Sequence, residues 1–308
     1  DTVWSGNVTL ANGELVVEPG VTLTIQGVIT VQGNVTIKGS GTIKRGSGNA
    51  YFKVYDGAHL TVGNVTIDGM SISSNNSMLE VIRSDIVLDE GCIVKNCNKM
   101  TLSPSGALGG GGVLNMYYGK AVFNDVLFEN NYSYTGYGGA VCFRESELRV
   151  NSGVFRNNNS ISTIHDWGGG CFYNIRSKLY IYGGSFIGNA TRGRGGCIFN
   201  LPDKGTETYL YGGYFEGNKS SNSEYKGGGA VFHCAYDPGR PNVDAEGAVL
   251  EISGAVQFAG DEVEGSGTDG VYLDLSPDKT TARKIRISDN LRYPVTLYLK
   301  ASEGYVIA

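Results

Sequence analysis

The sequence predicts an all-β chain folded as a right-handed single-stranded parallel β-helix, with about three strands in each coil. Three observations predict it. The first is a repeated F-x-x-N: Phe128/Asn131, Phe155/Asn158, Phe186/Asn189 and Phe215/Asn218, with Ile93/Asn96 and Phe258/Asp261 as degenerate members. The second is a Gly-Gly pair that follows each by several residues, in "GGVL" at Gly111, "GGAV" at Gly138, "GGCF" at Gly169, "GGCI" at Gly195 and "GGAV" at Gly228. Both series recur at about 26–33 residues, the length of one solenoid coil and far from any helical heptad. The third is strict alternation in "ELRVNSGVF", "KLYIYGGSF", "TYLYGGYF" and "VLEISGAVQF", each a period-2 pattern with a central glycine kink.

Each element has a physical reason. One coil cannot bury its apolar side alone, and stacking buries it against the next coil. The Phe of F-x-x-N stacks in the core at the end of a strand. The Asn sits at a turn, where the left-handed conformation is tolerated and its amide bonds the neighbouring coil in a ladder. Gly-Gly permits angles that a Cβ forbids and lets the chain re-enter the strand tightly. The next residue (Val113, Ala140, Cys171, Cys197 or Ala230) is small or β-branched, as a crowded inward slot demands. The chain reads as one domain over 1–308: smaller coils over 1–70 that cap one end, regular coils over 71–262, and closing coils over 263–308.

Composition narrows the function. Charged residues are 18% and hydrophobic residues 41% of the 308, too few charges for a disordered chain and enough apolar side chains for a long core. The net charge of −5 with scattered Lys and Arg carries no nucleic-acid footprint. No apolar stretch reaches the roughly 18 residues of a membrane helix, and the sequence opens at Asp1 without a signal peptide, which suggests a secreted or surface protein after processing. The six cysteines lack C-x-x-C spacing and the three histidines are scattered, so no metal site and no cofactor is expected. Cys171 and Cys197 stand where Ala stands in other coils, which favours buried free thiols. A Cys171–Cys197 bridge between coils and a Cys92–Cys97 bridge across a turn stay open.

The two motifs together resemble the polymorphic outer membrane protein repeats of chlamydial autotransporters, defined by GGA[ILV] and F-x-x-N. The resemblance covers about residues 90–262. It departs where Cys or Val replaces Ala, and in that no membrane barrel follows in this sequence. The stretch "GELVVEPGVTLTIQGVITVQGNVTIKGSGTI" is similar to capping coils of β-helix surface proteins from gut bacteria. The family implies a cell-surface or extracellular adhesin-type passenger.

Candidate binding residues lie in the loops between the two motifs, which stack on one edge of a solenoid. They are Tyr132, Tyr134, Tyr137, His165, Asp166, Trp167, Arg192, Arg194, Glu224, Tyr225 and Lys226. Aromatic rings beside charges and hydroxyls suit recognition of a host protein or glycan. No paired acidic strand motif is present, so no catalytic residue is assigned. A polysaccharide lyase or hydrolase, and a plain structural spacer, are the competing readings. The second loop set, at 174–178, 200–208 and 235–246, includes the longest insertion, with "DPGRPNVD".

Overall fold

The computed structural model describes residues 1–100, 109–161, 167–201, 203–221, 227–234, 248–265, 267–268, 270–274, 284–287, 291–295 and 297–300. Among these, 27 strands join one sheet and eight short strands join a second. Coil pairs with coil in parallel, as in Leu114–Tyr117 on Val141–Arg144, then Phe172–Ile175, Ile198–Asn200 and Val231–Cys234. The chain is a parallel β-helix.

A representative coil runs Val141–Arg144, Glu147–Val150, Gly153–Arg156 and Asn159–Ser160. The expected three strands are joined by a fourth of two residues, directly after the ladder asparagine. Along the second strand the sheet alternates, with Leu148 and Val150 buried and Glu147 and Arg149 turned outward.

The core of the regular coils is a column of phenylalanines. Ring centroids lie 5.3 Å apart from Phe128 to Phe155, 5.0 Å from Phe155 to Phe186, 4.6 Å from Phe186 to Phe215 and 5.0 Å from Phe215 to Phe258. Such pairs add about 0.5–1.5 kcal/mol each beyond simple burial.

Beside that column runs a fully buried amide ladder. Asn131 Nδ2 donates to Asn158 Oδ1 at 2.9 Å, Asn158 to Asn189 at 2.9 Å, and Asn189 to Asn218 at 3.0 Å. The second proton of each amide goes to a carbonyl of the coil behind: Val94, Phe128, Phe155 and Phe186 in turn. Each Oδ1 also accepts a backbone N–H from that coil, of Cys97, Asn131, Asn158 and Asn189. In Asn158, Asn189 and Asn218 both donors and both acceptor sites are used, the condition for burying an amide at little cost, whereas Asn131 Oδ1 accepts from the Cys97 N–H. Asp261 ends the run, accepting from Asn218 Nδ2 at 2.7 Å and from its backbone N–H. Burial pushes the Asp261 carboxyl up to about 6.

Two details of the repeat differ from the sequence reading. The left-handed residue is the one before the ladder Asn: Asn130 (φ 55), Asn157 (φ 56), Gly188 (φ 60), Gly217 (φ 61) and Gly260 (φ 63). The motif is therefore F-x-[NG]-N, with an Asn or Gly chosen for φ and the following Asn for hydrogen bonding. In the first degenerate copy, register places Val94, not Ile93, opposite Phe128. Asn96 (φ 55) makes the turn, and Cys97 holds the ladder slot.

The Gly-Gly pair divides its work. Gly138 (φ 68), Gly169 (φ 73), Gly195 (φ 68) and Gly228 (φ 70) supply the left-handed bend. A Cβ on the second glycine, Gly139, Gly170 or Gly196, would strike the carbonyl of the equivalent glycine one coil on. Val113, Ala140, Cys171, Cys197 and Ala230 behind the pair are all fully buried. Cys92, Cys97, Cys142, Cys171 and Cys197 are free thiols, and burial pushes Cys92, Cys97 and Cys142 up to about 12. The Cys234 side chain lies outside the described residues.

The early coils are filled by aliphatic side chains, among them Ile29, Ile37, Ile43, Val54, Leu60 and Ile67. They also enclose charge: Arg45, Glu80 and Lys99 are all buried.

Candidate functional site

The loop residues singled out from sequence separate into two groups. Tyr132 and Tyr134 stand together, ring centroids 4.5 Å apart, with Tyr134 45% exposed. Burial and the Tyr134 hydrogen bond push the Tyr132 phenol up to about 12, and the exposed guanidinium of Arg192 acts in the opposite direction. These three form one exposed patch. Tyr137, Trp167 and Arg194 instead belong to a packed stack. Tyr137 lies 4.7 Å from Trp167 and 4.9 Å from Tyr173, and the stack continues through Phe199, Phe232 and Tyr272. The Arg194 guanidinium lies 5.1 Å over the Phe232 ring, and both residues are buried. This second aromatic column sits outside the main core and holds the Gly-Gly loops against the first strands. His165, Asp166, Glu224, Tyr225, Lys226 and the 235–246 insertion lie outside the described residues.

The structure brings forward another surface, on the outward side of the second strands. Lys178–Ile181 pairs in register with the first half of Glu207–Glu216. The pleat turns Tyr180 and Tyr182 outward on one coil and Tyr209 and Tyr211 outward on the next. Tyr180 and Tyr209 are parallel at 4.9 Å and 8°, and Tyr182 and Tyr211 lie 5.5 Å apart. Along each strand the rings are spaced 6.4 Å (Tyr180 to Tyr182) and 6.0 Å (Tyr209 to Tyr211). Tyr182 is 45% exposed. On the preceding coil Arg149 caps the array, its guanidinium 5.5 Å from the Tyr180 ring.

Next to the four rings an open groove of about 620 Å³ runs across the coils. One wall is a column of alternating charge set by register: Asp85, Lys120, Glu147, Lys178 and Glu207. Lys178 Nζ lies 3.3 Å from Glu207, and Glu147 holds Arg149 at 2.8 Å. The other wall carries Arg176, bonded to Asp203 at 2.6 Å and 3.5 Å from Glu145. The groove joins the ring array directly, because the Tyr209 hydroxyl donates to Glu207 Oε2 at 2.8 Å. Burial, then that carboxylate, pushes the Tyr209 phenol up, and burial does the same to Tyr180 and Tyr211. These hydroxyls remain protonated, neutral donors near neutral pH.

The ring geometry limits what the surface can hold. In the Tyr180/Tyr209 pair one face of each ring is turned to its neighbour. A ligand meets ring edges, hydroxyls and a balanced set of charges, more than open aromatic faces. That favours a partner rich in hydrogen-bonding groups and shaped to a flat sheet. Each carboxylate named here in the groove walls already has a cationic or N–H partner in the structure, Asp85 through the Lys120 backbone N–H. Among the described residues, no three His, Cys, Asp or Glu side chains are grouped to hold a metal, and no helix is long and apolar enough to cross a membrane.

The signal for this surface was present in the sequence. Tyr-x-Tyr occurs in two consecutive coils, in "KLYIYGG" and "TYLYGG", at the same offset from Phe186 and Phe215. Alignment on the phenylalanines, followed by the period-2 rule, places all four rings outward on adjacent strands.

No family model, no curated protein and no solved structure matches the chain.

Proposed function

We propose that this β-helix is a binding module of a secreted or cell-surface protein, an adhesin-type solenoid that docks a host protein against the outer sheet around Tyr180, Tyr182, Tyr209 and Tyr211. The observation that supports the reading is the exposed four-tyrosine array continuous with a groove of alternating charge. Tyrosine gives large contact area at low entropy cost and is enriched where binding energy concentrates. The alternating charges set register and selectivity for a partner of complementary pattern more than raw affinity. The exposed loop patch at Tyr132, Tyr134 and Arg192 is the second contact region this reading offers.

The test compares three proteins for binding to host-cell surface proteins and to a glycan array: wild type, Tyr182→Ser/Tyr211→Ser, and Tyr134→Ala/Arg192→Ala. The reading expects protein binding that falls at least tenfold in the tyrosine variant. Unchanged binding in that variant, or loss only in the loop variant, moves the site to the loop edge. Binding only to glycans replaces the partner class. Absence of any binding leaves a structural spacer.

A further inference from the structure

Two of the buried ionic groups of the early coils, Glu80 and Lys99, lie beside a buried side-chain amide. Glu80 lies on the first strand of its coil, Lys99 on the short fourth strand of the same coil, and Asn115 on the first strand of the next. Register places Asn115 directly over Glu80. Asn115 Nδ2 lies 2.8 Å from Glu80 Oε2, and Lys99 Nζ lies 3.9 Å from Glu80 Oε1. One carboxyl group therefore accepts from a side-chain amide and lies within ion-pair range of an amine. The Lys99 side chain is only 4% exposed and that of Glu80 only 9%. Asn115 Oδ1 is buried with no hydrogen-bond partner among the described residues, so its carbonyl is held dry with one bond lacking.

We propose that Lys99 and Asn115 join in an intramolecular isopeptide bond, with Glu80 moving the protons and ammonia leaving. The Lys99 amine lone pair attacks Asn115 Cγ, and the Nζ–Cγ bond forms. Glu80 takes a proton from Nζ and delivers one to Nδ2, the Cγ–Nδ2 bond breaks, and ammonia departs. One amide replaces another, so the step needs neither oxidant nor activated co-reactant. Exchanging the two ends of the Asn115 amide lets protonated Glu80 Oε2 donate to Oδ1 across the same 2.8 Å contact and polarise the carbonyl. Desolvation favours the neutral forms that the attack requires. Burial lowers Lys99 and raises Glu80 from their ordinary values, against the mutual attraction that would keep them charged. The Asn75 carbonyl, 2.8 Å from Lys99 Nζ, orients the amine. The product staples the fourth strand of one coil to the first strand of the next, across the segment between them.

The experiment is intact mass spectrometry of the purified chain, then cyanogen bromide cleavage under reducing conditions. Cleavage at Met100 separates Lys99 from Asn115 along the chain, so fragments that remain joined report the cross-link and exclude a succinimide at Asn115. Wild type is expected to be lighter by one ammonia, with the two fragments joined. Glu80→Gln keeps hydrogen-bonding capacity at the site and is expected to show full mass and separate fragments. Full mass in wild type, or fragments that part, overturns the proposal. A cross-link that persists in Glu80→Gln overturns the role given to Glu80. None of these outcomes depends on what the tyrosine surface binds.

Discussion

The early coils and the regular coils share one backbone path and solve the interior in different ways. From Val17 to Lys99 the core is almost wholly aliphatic, and the polar groups sealed in it include three ionic side chains, Arg45, Glu80 and Lys99. From Phe123 to Phe258 an aromatic column fills the same volume, and the polar groups stacked beside it, from Asn131 to Asn218, are neutral amides. Along the ladder the neutral solution is complete from Asn158 to Asn218, where each Asn uses both donors and both acceptor sites. The ionic one is not, because both terminal nitrogens of Arg45 lack hydrogen-bond partners among the described residues. Burying an amide that is fully bonded to copies of itself costs little. Burying a charge is expensive unless its partners are all in place. The difference teaches that translational repetition suits neutral groups, which stack on their own kind, and does not suit charges, which repel theirs.

The comparison can be broken at the aromatic column first. Phe155→Ala removes a ring packed between Phe128 and Phe186, and is expected to destabilise the fold by about 4 kcal/mol in urea unfolding. Asn158→Ala comes next. It strands the Asn131 amide and backbone N–H, takes a donor from the Phe128 carbonyl and leaves Asn189 Oδ1 with the backbone N–H of residue 158 alone, at a cost on the order of 3 kcal/mol. A loss under about 1 kcal/mol would mean that water replaces the amide and that the ladder is not cohesive.

At Asp261 the ladder itself reports pH. The native carboxyl holds its proton up to about 6, whereas the unfolded one releases it near the ordinary 3.8. The folded state therefore binds more protons between those values, and stability declines as pH rises through that window. Asp261→Asn supplies a neutral amide, and is expected to gain on the order of 1–2 kcal/mol at pH 7. It is also expected to flatten its own share of the profile between pH 4 and 6. Thermal melts of wild type and variant across that range give the difference, and a variant less stable at pH 7 would contradict it.

The smallest effect is expected from Arg45→Met. A thioether replaces a guanidinium with unfilled nitrogens, and the change in stability is expected to stay under about 1 kcal/mol. A loss as large as that of Asn158→Ala would show that the early coils depend on their charges as the later ones depend on their amides.

Much of this architecture was legible because Phe, Asn and Gly are used for properties no other residue shares in those slots. The Phe column, the Asn partners and the Gly-Gly bend all lie at positions readable by eye. Legibility failed where several residues satisfy one requirement. Ile93 and Val94 are equally apolar, and only strand register shows that Val94 faces the core. Two consecutive asparagines in "FENN" hide a division of labour that φ alone reveals. Among the loop candidates, Tyr137 and Arg194 read like binding residues, yet they are packed, because a loop residue in a solenoid can stack on the next loop as readily as face solvent. The outward tyrosines were readable in principle, but only after one coil was laid over the next.

The separations along the ladder are 27, 31, 29 and 43 residues, yet the hydrogen bonds between successive members stay within 2.7–3.0 Å. The solenoid therefore keeps its ruling while the text between the lines changes length. A lineage can lengthen or exchange the segment between two asparagines without renegotiating the stack, and an engineer can do the same by splicing a foreign epitope between the strand that ends at Cys234 and Ala248. The amide column works as a reading frame for surface variation, with the interior held constant and the exterior free to drift.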